Sequence, residues 1–464
     1  MRNRLASNAA ANVANGIAMA TFQLGMAAVV ARLGSVNDFS RWSVTASLAG
    51  FAPLLSFNLS LALTRVMSAP TASVDALSVI KASRWIARRL TWMAAGCAAL
   101  AGAFAQFAYP ELARGSAAFW VMVSMFFFGS SWVIAAQTDH GWLTTHHRNW
   151  PITAGAACCR ALALAAMVIV MAGMQAPTWV AVGVAAAALW SGVFITRVLA
   201  QAPRHRRIAN PPIDPTWRHD VRSLVTVMHG FAVWNLTSAA IQAAAVPLVS
   251  LMSTQATTPF FIAFTLVTTV MGGLAAAFAA LMAPMADLIR RNAPRRLRRL
   301  AALAQWSIWG ITQTLLLAVG LALPWITELW LGAKPSSMSD VISFYGLLAM
   351  QHGCRCVGAS ASIVLALAAP SRVLRLAPLF EAGAMLFIAL PLGAWGGPVA
   401  FASGLVAAAA IGVLPVVWIG CSLPVMSVKK RFPWIGLTIA MLCVSIALWI
   451  IVFPWLLDAL PHHA

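Results

Sequence analysis

Charged residues are scarce in this chain: of 464 residues only 9% are Asp, Glu, Lys or Arg, and the acids number 11. A soluble domain carries about 25% charge because its surface must be wetted. That class is excluded, and most of the outer surface must face something apolar. The 7 cysteines lie in or beside apolar runs, which excludes a disulfide framework. Cys158-Cys159 and Cys354-Arg355-Cys356 lack a second ligand pair at finger-like spacing, so no metal site is expected. A GxxxxGK(S/T) loop for ATP is missing, as are HExxH and GxSxG. Neither a cofactor nor catalytic residues are expected. The short alternating segments of a membrane β-barrel are missing too.

What is present is hydrophobic: 61% of the residues, with a mean hydropathy of +0.83. Apolar runs long enough to cross ~30 Å of hydrocarbon as helices recur throughout. Thirteen can be placed, among them 11–32, 117–137, 151–174, 223–249, 340–367, 376–395, 398–420 and 434–457. The reading is an all-α polytopic membrane protein with 12–13 transmembrane helices. The stretch after Arg2 and Arg4 is too long for a signal peptide and reads as the first span.

The formal net charge of +20 reflects topology rather than nucleic acid. Arg and Lys gather in short clusters between spans, such as Arg84 to Arg89, Arg204 to Arg207, Arg290 to Arg299 and Lys429 to Arg431. Only Arg32, Arg41, Arg114 and Lys334 fall on the other side. By the positive-inside rule the clusters and the N-terminus are cytoplasmic, and no nucleic-acid partner is expected. The Pro-rich connection 200–222 separates a first lobe, 1–199, from a second, 223–420. Residues 421–464 hold a basic loop and an extra C-terminal helix.

Polar groups inside spans mark function by default. Asn8, Asn12, Asn15 and Gln23 share about an 80° arc of the first span at ~100° per residue. Asn235, Ser238 and Gln242 repeat this in 223–249, and Gln351 and Arg355, with His352 beside them, do so in 340–367. Arg355 lies about 22 Å along its span and Arg160 about 14 Å along 151–174, at ~1.5 Å per residue. The alternative partner of Arg355 is Glu381, as a structural ion pair or a coupling group. Their depths from the basic end, about 18 Å against about 8 Å, make a direct pair strained. The other acids, Asp139 among them, read as loop or span-end residues, and His140, His146 and His147 as solvated loop histidines. Deep guanidinium groups without matched acids suit a phosphate or carboxylate. Arg355, Arg160, Gln351, His352, Asn12, Asn15, Gln23, Asn235 and Gln242 are the candidate substrate contacts.

Val30-Ala31-Arg32-Leu33-Gly34, then Asp38-Phe39, Trp42, and Leu55 to Arg65, together with Trp330-Leu331-Gly332, resemble a known layout. It is that of the polysaccharide and O-antigen flippases in the multidrug/oligosaccharidyl-lipid/polysaccharide (MOP) exporter superfamily. The resemblance implies two six-helix lobes around a central cavity open to one side at a time. It further implies a polyprenyl-pyrophosphate-linked oligosaccharide moved to the periplasmic leaflet of a bacterial inner membrane. Expected partners are that lipid-linked glycan, membrane lipids and other polysaccharide-assembly proteins. A drug or cation exporter of the same superfamily is the first alternative, disfavoured by the lack of deep carboxylates other than Glu381. A membrane glycan polymerase or glycosyltransferase is the second, disfavoured by the short outer loops. Arg32 and Gly34 carry over as turn residues, and the thirteenth span departs from the usual twelve.

Overall fold

In hydrocarbon only a helix pairs all of a segment's amide groups without an exposed edge or a closed barrel. The computed structural model is accordingly helical, with no strand among the described residues. Those residues are 2–67, 76–114, 116–146, 148–200, 215–278, 281–332, 337–376, 378–426 and 432–455. The first helices are α1 (Arg2–Leu33), α2 (Val36–Ala49), α3 (Leu59–Met67), α4 (Ala76–Ala108), α5 (Pro110–Ala113), α6 (Ala117–Ser130) and α7 (Trp132–Thr145). They are followed by α8 (Trp150–Val168), α9 (Thr178–Leu189), α10 (Ser191–Ala200), α11 (Pro215–Met252), α12 (Thr254–Phe278), α13 (Met282–Arg290) and α14 (Pro294–Leu321). The last are α15 (Leu323–Leu331), α16 (Met338–Cys356), α17 (Ala359–Ala368), α18 (Ser371–Leu376), α19 (Leu379–Ala384), α20 (Leu390–Ser422) and α21 (Phe432–Ala447).

Among the described residues, 10 helical segments are long and apolar enough to cross a membrane, and Ala240–Met252 and Ala359–Ala368 are shorter apolar helices. The segment Arg372–Ser422 doubles back at Gly397, whose φ of 73° and ψ of −165° suit a residue without Cβ. It therefore accounts for both 376–395 and 398–420.

The chain divides into two compact units, Met1–Pro247 and Leu248–Ala464. The division falls inside α11; of the connection 200–222, residues 201–214 lie outside the described residues. The cause is apolar packing: Leu224 and Met228 on α11 join Leu59 and Leu63 of α3 and Val79 and Ile86 of α4 in one buried cluster. In the first unit α1 packs on α8, α8 on α9, α9 on α6, and α6 on α4. In the second, α16 packs against α12, α14, α20 and α21. The additional C-terminal helix is bound into this unit by polar groups. The indole of Trp309 on α14 and the amide of Gln313 each donate to Ser445 Oγ at 2.9 Å, and Trp449 Nε1 donates to Gln313 Oε1 at 2.9 Å.

The turn behind the sequence resemblance is a capping box. Ser35 Oγ accepts from the Asp38 amide at 3.1 Å, while the Asp38 carboxylate accepts from the Ser35 amide at 3.0 Å. This satisfies the first amides of α2. Trp42 then packs edge-on to Phe126 with ring centroids 4.9 Å apart, and Arg41 Nε donates to the Leu112 carbonyl.

Two helices break within their spans, where hydropathy predicts continuous rods. The first breaks over Ala52–Ser56, with Phe57 and Asn58 at positive φ, and restarts as α3. The second breaks at Val357–Gly358 and restarts as α17. Each restart leaves amides without intrahelical partners, and water is absent to take them. A glutamine on a neighbouring helix does so in both. Gln137 Oε1 accepts from the Ser60 amide at 2.9 Å. Gln305 Oε1 accepts from the Ser360 amide at 3.2 Å and hydroxyl at 2.9 Å, and its Nε2 donates to the Cys356 carbonyl at 2.9 Å.

Candidate functional site

The polar stripe of α1 is met by α8. Asn149, Thr153 and Arg160 fall within about 40° of one another around that helix and the residue that caps it, at ~100° per residue. Asn149 Nδ2 donates to Asn12 Oδ1 at 3.3 Å, Thr153 Oγ1 to the Ala11 carbonyl at 2.9 Å, and Arg160 Nη1 to Asn15 Oδ1 at 3.0 Å. Trp150 Nε1 adds a bond to Ser7 Oγ at 2.9 Å. Asn12, Asn15 and Arg160 are thus brought together, and part of the stripe serves a helix–helix seam. Arg160 is partly buried, and among the described residues no carboxylate lies within ion-pair distance of it. Gln23, two turns farther along α1, and Gln242 on α11 are half-buried and make no hydrogen bond among the described residues. The side chains of Asn235, Asn8 and Ser238 lie outside the described residues, as does His147.

Arg160→Gln keeps a donor for Asn15 and removes the charge. If the solute is anionic, its transport is expected to fall by about tenfold, the worth of one charge-assisted bond, with the melting temperature unchanged. Equal rates for the two proteins in an uptake assay would remove Arg160 from the site.

Sequence hydropathy ended the fourth span at 137, and the structure corrects this. α7 continues to Thr145, so His140 stands on a helix and not in a loop, and Asp139 lies about two turns inside the helix end. Asp139 is 4% exposed and pairs with Arg197 on α10, Nε to Oδ2 3.4 Å. His140 stacks edge-on to Trp132, and its Nε2 is buried without a hydrogen-bond partner among the described residues. Ser83 on α4 and Thr138 share a hydroxyl pair at 2.9 Å. The missed signal was the apolar Trp142 and Leu143, three and four residues past Asp139, which continue the helical face. Asp220 is likewise on a helix, α11, and accepts from the Ser78 hydroxyl.

In the second unit Arg355 Nε donates to Glu381 Oε1 at 2.5 Å, each side chain being 16% exposed. The strained separation expected from the sequence is thereby overturned. The depth estimate for Glu381 took 376–395 as one straight helix, whereas α18 ends at Leu376 and a separate helix, α19, begins at Leu379. The break after Cys356 also means that straight-rod arithmetic does not apply to Arg355. The pair has room because Gly412 faces it: a Cβ there would meet Glu381 Cβ at 2.6 Å. Gln351 and His352, each 3% exposed, occupy the turn before Arg355.

No protein-family profile and no curated protein matches this chain. Solved structures do. A MOP superfamily transporter from Pyrococcus furiosus superposes with a TM-score of 0.67 at 13% identity, over 95% of this chain and 96% of that one. A eukaryotic MATE transporter gives 0.67 at 12% identity, over 94% and 98%. A Vibrio cholerae MATE transporter gives 0.63 at 13%, over 93% and 98%. At these identities the likeness is one of fold. The chain is a multi-span, helical membrane protein with the fold of MATE transporters of the MOP superfamily.

Proposed function

We propose that this chain is a membrane exporter of the drug or cation type, exchanging an amphipathic organic solute against protons or metal cations. The observation that carries the reading is that each unit holds a carboxylate within a span, Asp139 paired with Arg197 and Glu381 paired with Arg355. The sequence argument against a cation exporter was the absence of such groups apart from Glu381. With Asp139 buried on α7, that argument loses its main ground. Carboxylates shielded from water can change protonation or partner as a cavity opens to alternate sides, which is how a gradient drives a secondary transporter. Two of the similar structures are MATE transporters, which supports the same reading. The test is ethidium accumulation in efflux-deficient cells expressing the chain. Accumulation is expected to fall several-fold, and Asp139→Asn with Glu381→Gln to abolish the fall. Unchanged accumulation with the protein in the membrane overturns the reading.

A second reading rests on Arg160, a deep guanidinium held by an amide and not by an acid. It is flipping of a polyprenyl-pyrophosphate-linked oligosaccharide, an O-antigen, capsule or exopolysaccharide unit, with the basic loops in the cytoplasm of a bacterial inner membrane. The Pyrococcus furiosus transporter is described as having a binding pocket of reverse polarity that suggests a different function, so pocket polarity varies within this fold. Under this reading, loss of the protein strands the lipid-linked intermediate on the cytoplasmic leaflet and leaves ethidium accumulation unaffected.

A further inference from the structure

The first unit buries an empty acceptor beside a cation with donors to spare. His140 lies inside α7, and its Nε2 is shut off from the surface with no hydrogen bond among the described residues. With the ring proton on Nδ1, that nitrogen is a bare acceptor. Among helices in hydrocarbon no water takes the place of the missing donor. Such a group calls for a reason, and the neighbouring donors give one.

The donors belong to Arg160. Its Nη1 is given to Asn15 Oδ1 on α1. The guanidinium carries further N–H groups in the same plane, and these find no acceptor among the described residues. Packing on α10 brings the two side chains into one region. Trp132, on which His140 stacks with ring centroids 6.2 Å apart, and Cys159, the residue before Arg160, converge on Gly192. A Cβ on that glycine would meet Trp132 Cζ3 at 2.8 Å and Cys159 Sγ at 2.9 Å. The charge of Arg160 accordingly acts on His140. Asp139, the acid next to His140, does not compete for the guanidinium, since it is paired with Arg197. Arg160 is itself only half-buried, so packing does not lock its long side chain on every side.

We infer that His140 is the second partner of Arg160, a positioning residue that takes the guanidinium from Asn15 when the protein changes state. Three links join α1 to α8 and its cap in this structure: Asn149 to Asn12, Thr153 to Ala11, and, deepest in the span, Arg160 to Asn15. Passing Arg160 to His140 opens the deepest link without leaving the guanidinium bare, which makes it easier for α1 to part from α8. The inference rests on the reading of the chain as a transporter that opens to alternate sides, and it is the same for either class of solute.

The test measures distances in the full chain with no solute present. Spin labels are carried on p-acetylphenylalanine at Ile17 of α1 and Leu162 of α8, both exposed, so the native cysteines stay in place. Pulsed electron spin resonance in lipid nanodiscs should resolve two separations, one of them that of this structure. His140→Phe keeps a ring against Trp132 but offers no acceptor. It should deplete the other separation about tenfold, the worth of one hydrogen bond to a charged group. Asn15→Leu should shift the balance the opposite way by a similar factor. A histidine with a merely structural role would not give opposite shifts. The same distribution in all three proteins overturns the inference, as do shifts in the same direction. Should His140→Phe fail to fold, Asn15→Leu decides alone: no gain in the second separation overturns the hand-over. Export measured alongside keeps the two claims apart, because absent export with the opposite shifts intact counts against the transporter reading and not against the hand-over.

Discussion

Arg355→Ala is expected to destabilise the protein by about 3–5 kcal/mol, because it leaves the Glu381 carboxylate unpaired among helices. The environment offers no relief. Glu381 backs onto Gly412, whose missing side chain is what lets the carboxylate fit, and its side chain is only 16% exposed. Transport should be lost with the fold. The informative variant is the double one. Arg355→Ala combined with Glu381→Gln removes both charges, so the melting temperature in detergent should recover most of the loss. A normal melting temperature for Arg355→Ala with transport alone abolished would return Arg355 to the role of a substrate contact.

Gln305→Met should come next in size. The replacement preserves volume but withdraws three hydrogen bonds, those to the Cys356 carbonyl and to the Ser360 amide and hydroxyl. Stranding a buried backbone group costs about 1–3 kcal/mol, and two are stranded here, because the break at Val357–Gly358 leaves them no helical partners. A drop in stability of about 2–6 kcal/mol is expected on that basis. The local signature is sharper: amide hydrogen exchange over 356–362 should accelerate, while exchange in α14 itself stays slow. If exchange at Ser360 is unaffected, α17 is held by apolar packing alone and Gln305 is not its latch.

Much of the architecture was legible in the chain, because membrane insertion reads a local sum. Hydropathy over a window decides whether a segment prefers lipid, and among the described residues 10 helical segments are long and apolar enough to cross a membrane. The Ser35–Asp38 capping box is local too, completed within four residues. The site was less legible, since ion pairs between helices depend on rotation and axial offset together. An error of a few residues at a span end moves a side chain by about 6 Å, enough to separate Arg355 from Glu381 on paper. The same kind of error put Asp139 at or beyond a span end, since the span was ended at 137 while α7 runs on to Thr145. Nor could periodicity say what would cover the stripe of α1. It counts Asn12 and Asn15 as polar, but only the packing of α8 turns them into acceptors for Asn149 and Arg160. The sequence by itself determined a basic-looped, many-span helical membrane protein, because composition and local hydropathy suffice for that. Tertiary structure decided which buried charges meet and which glutamines close the broken helices, because those partners are non-local and are set by how the helices pack.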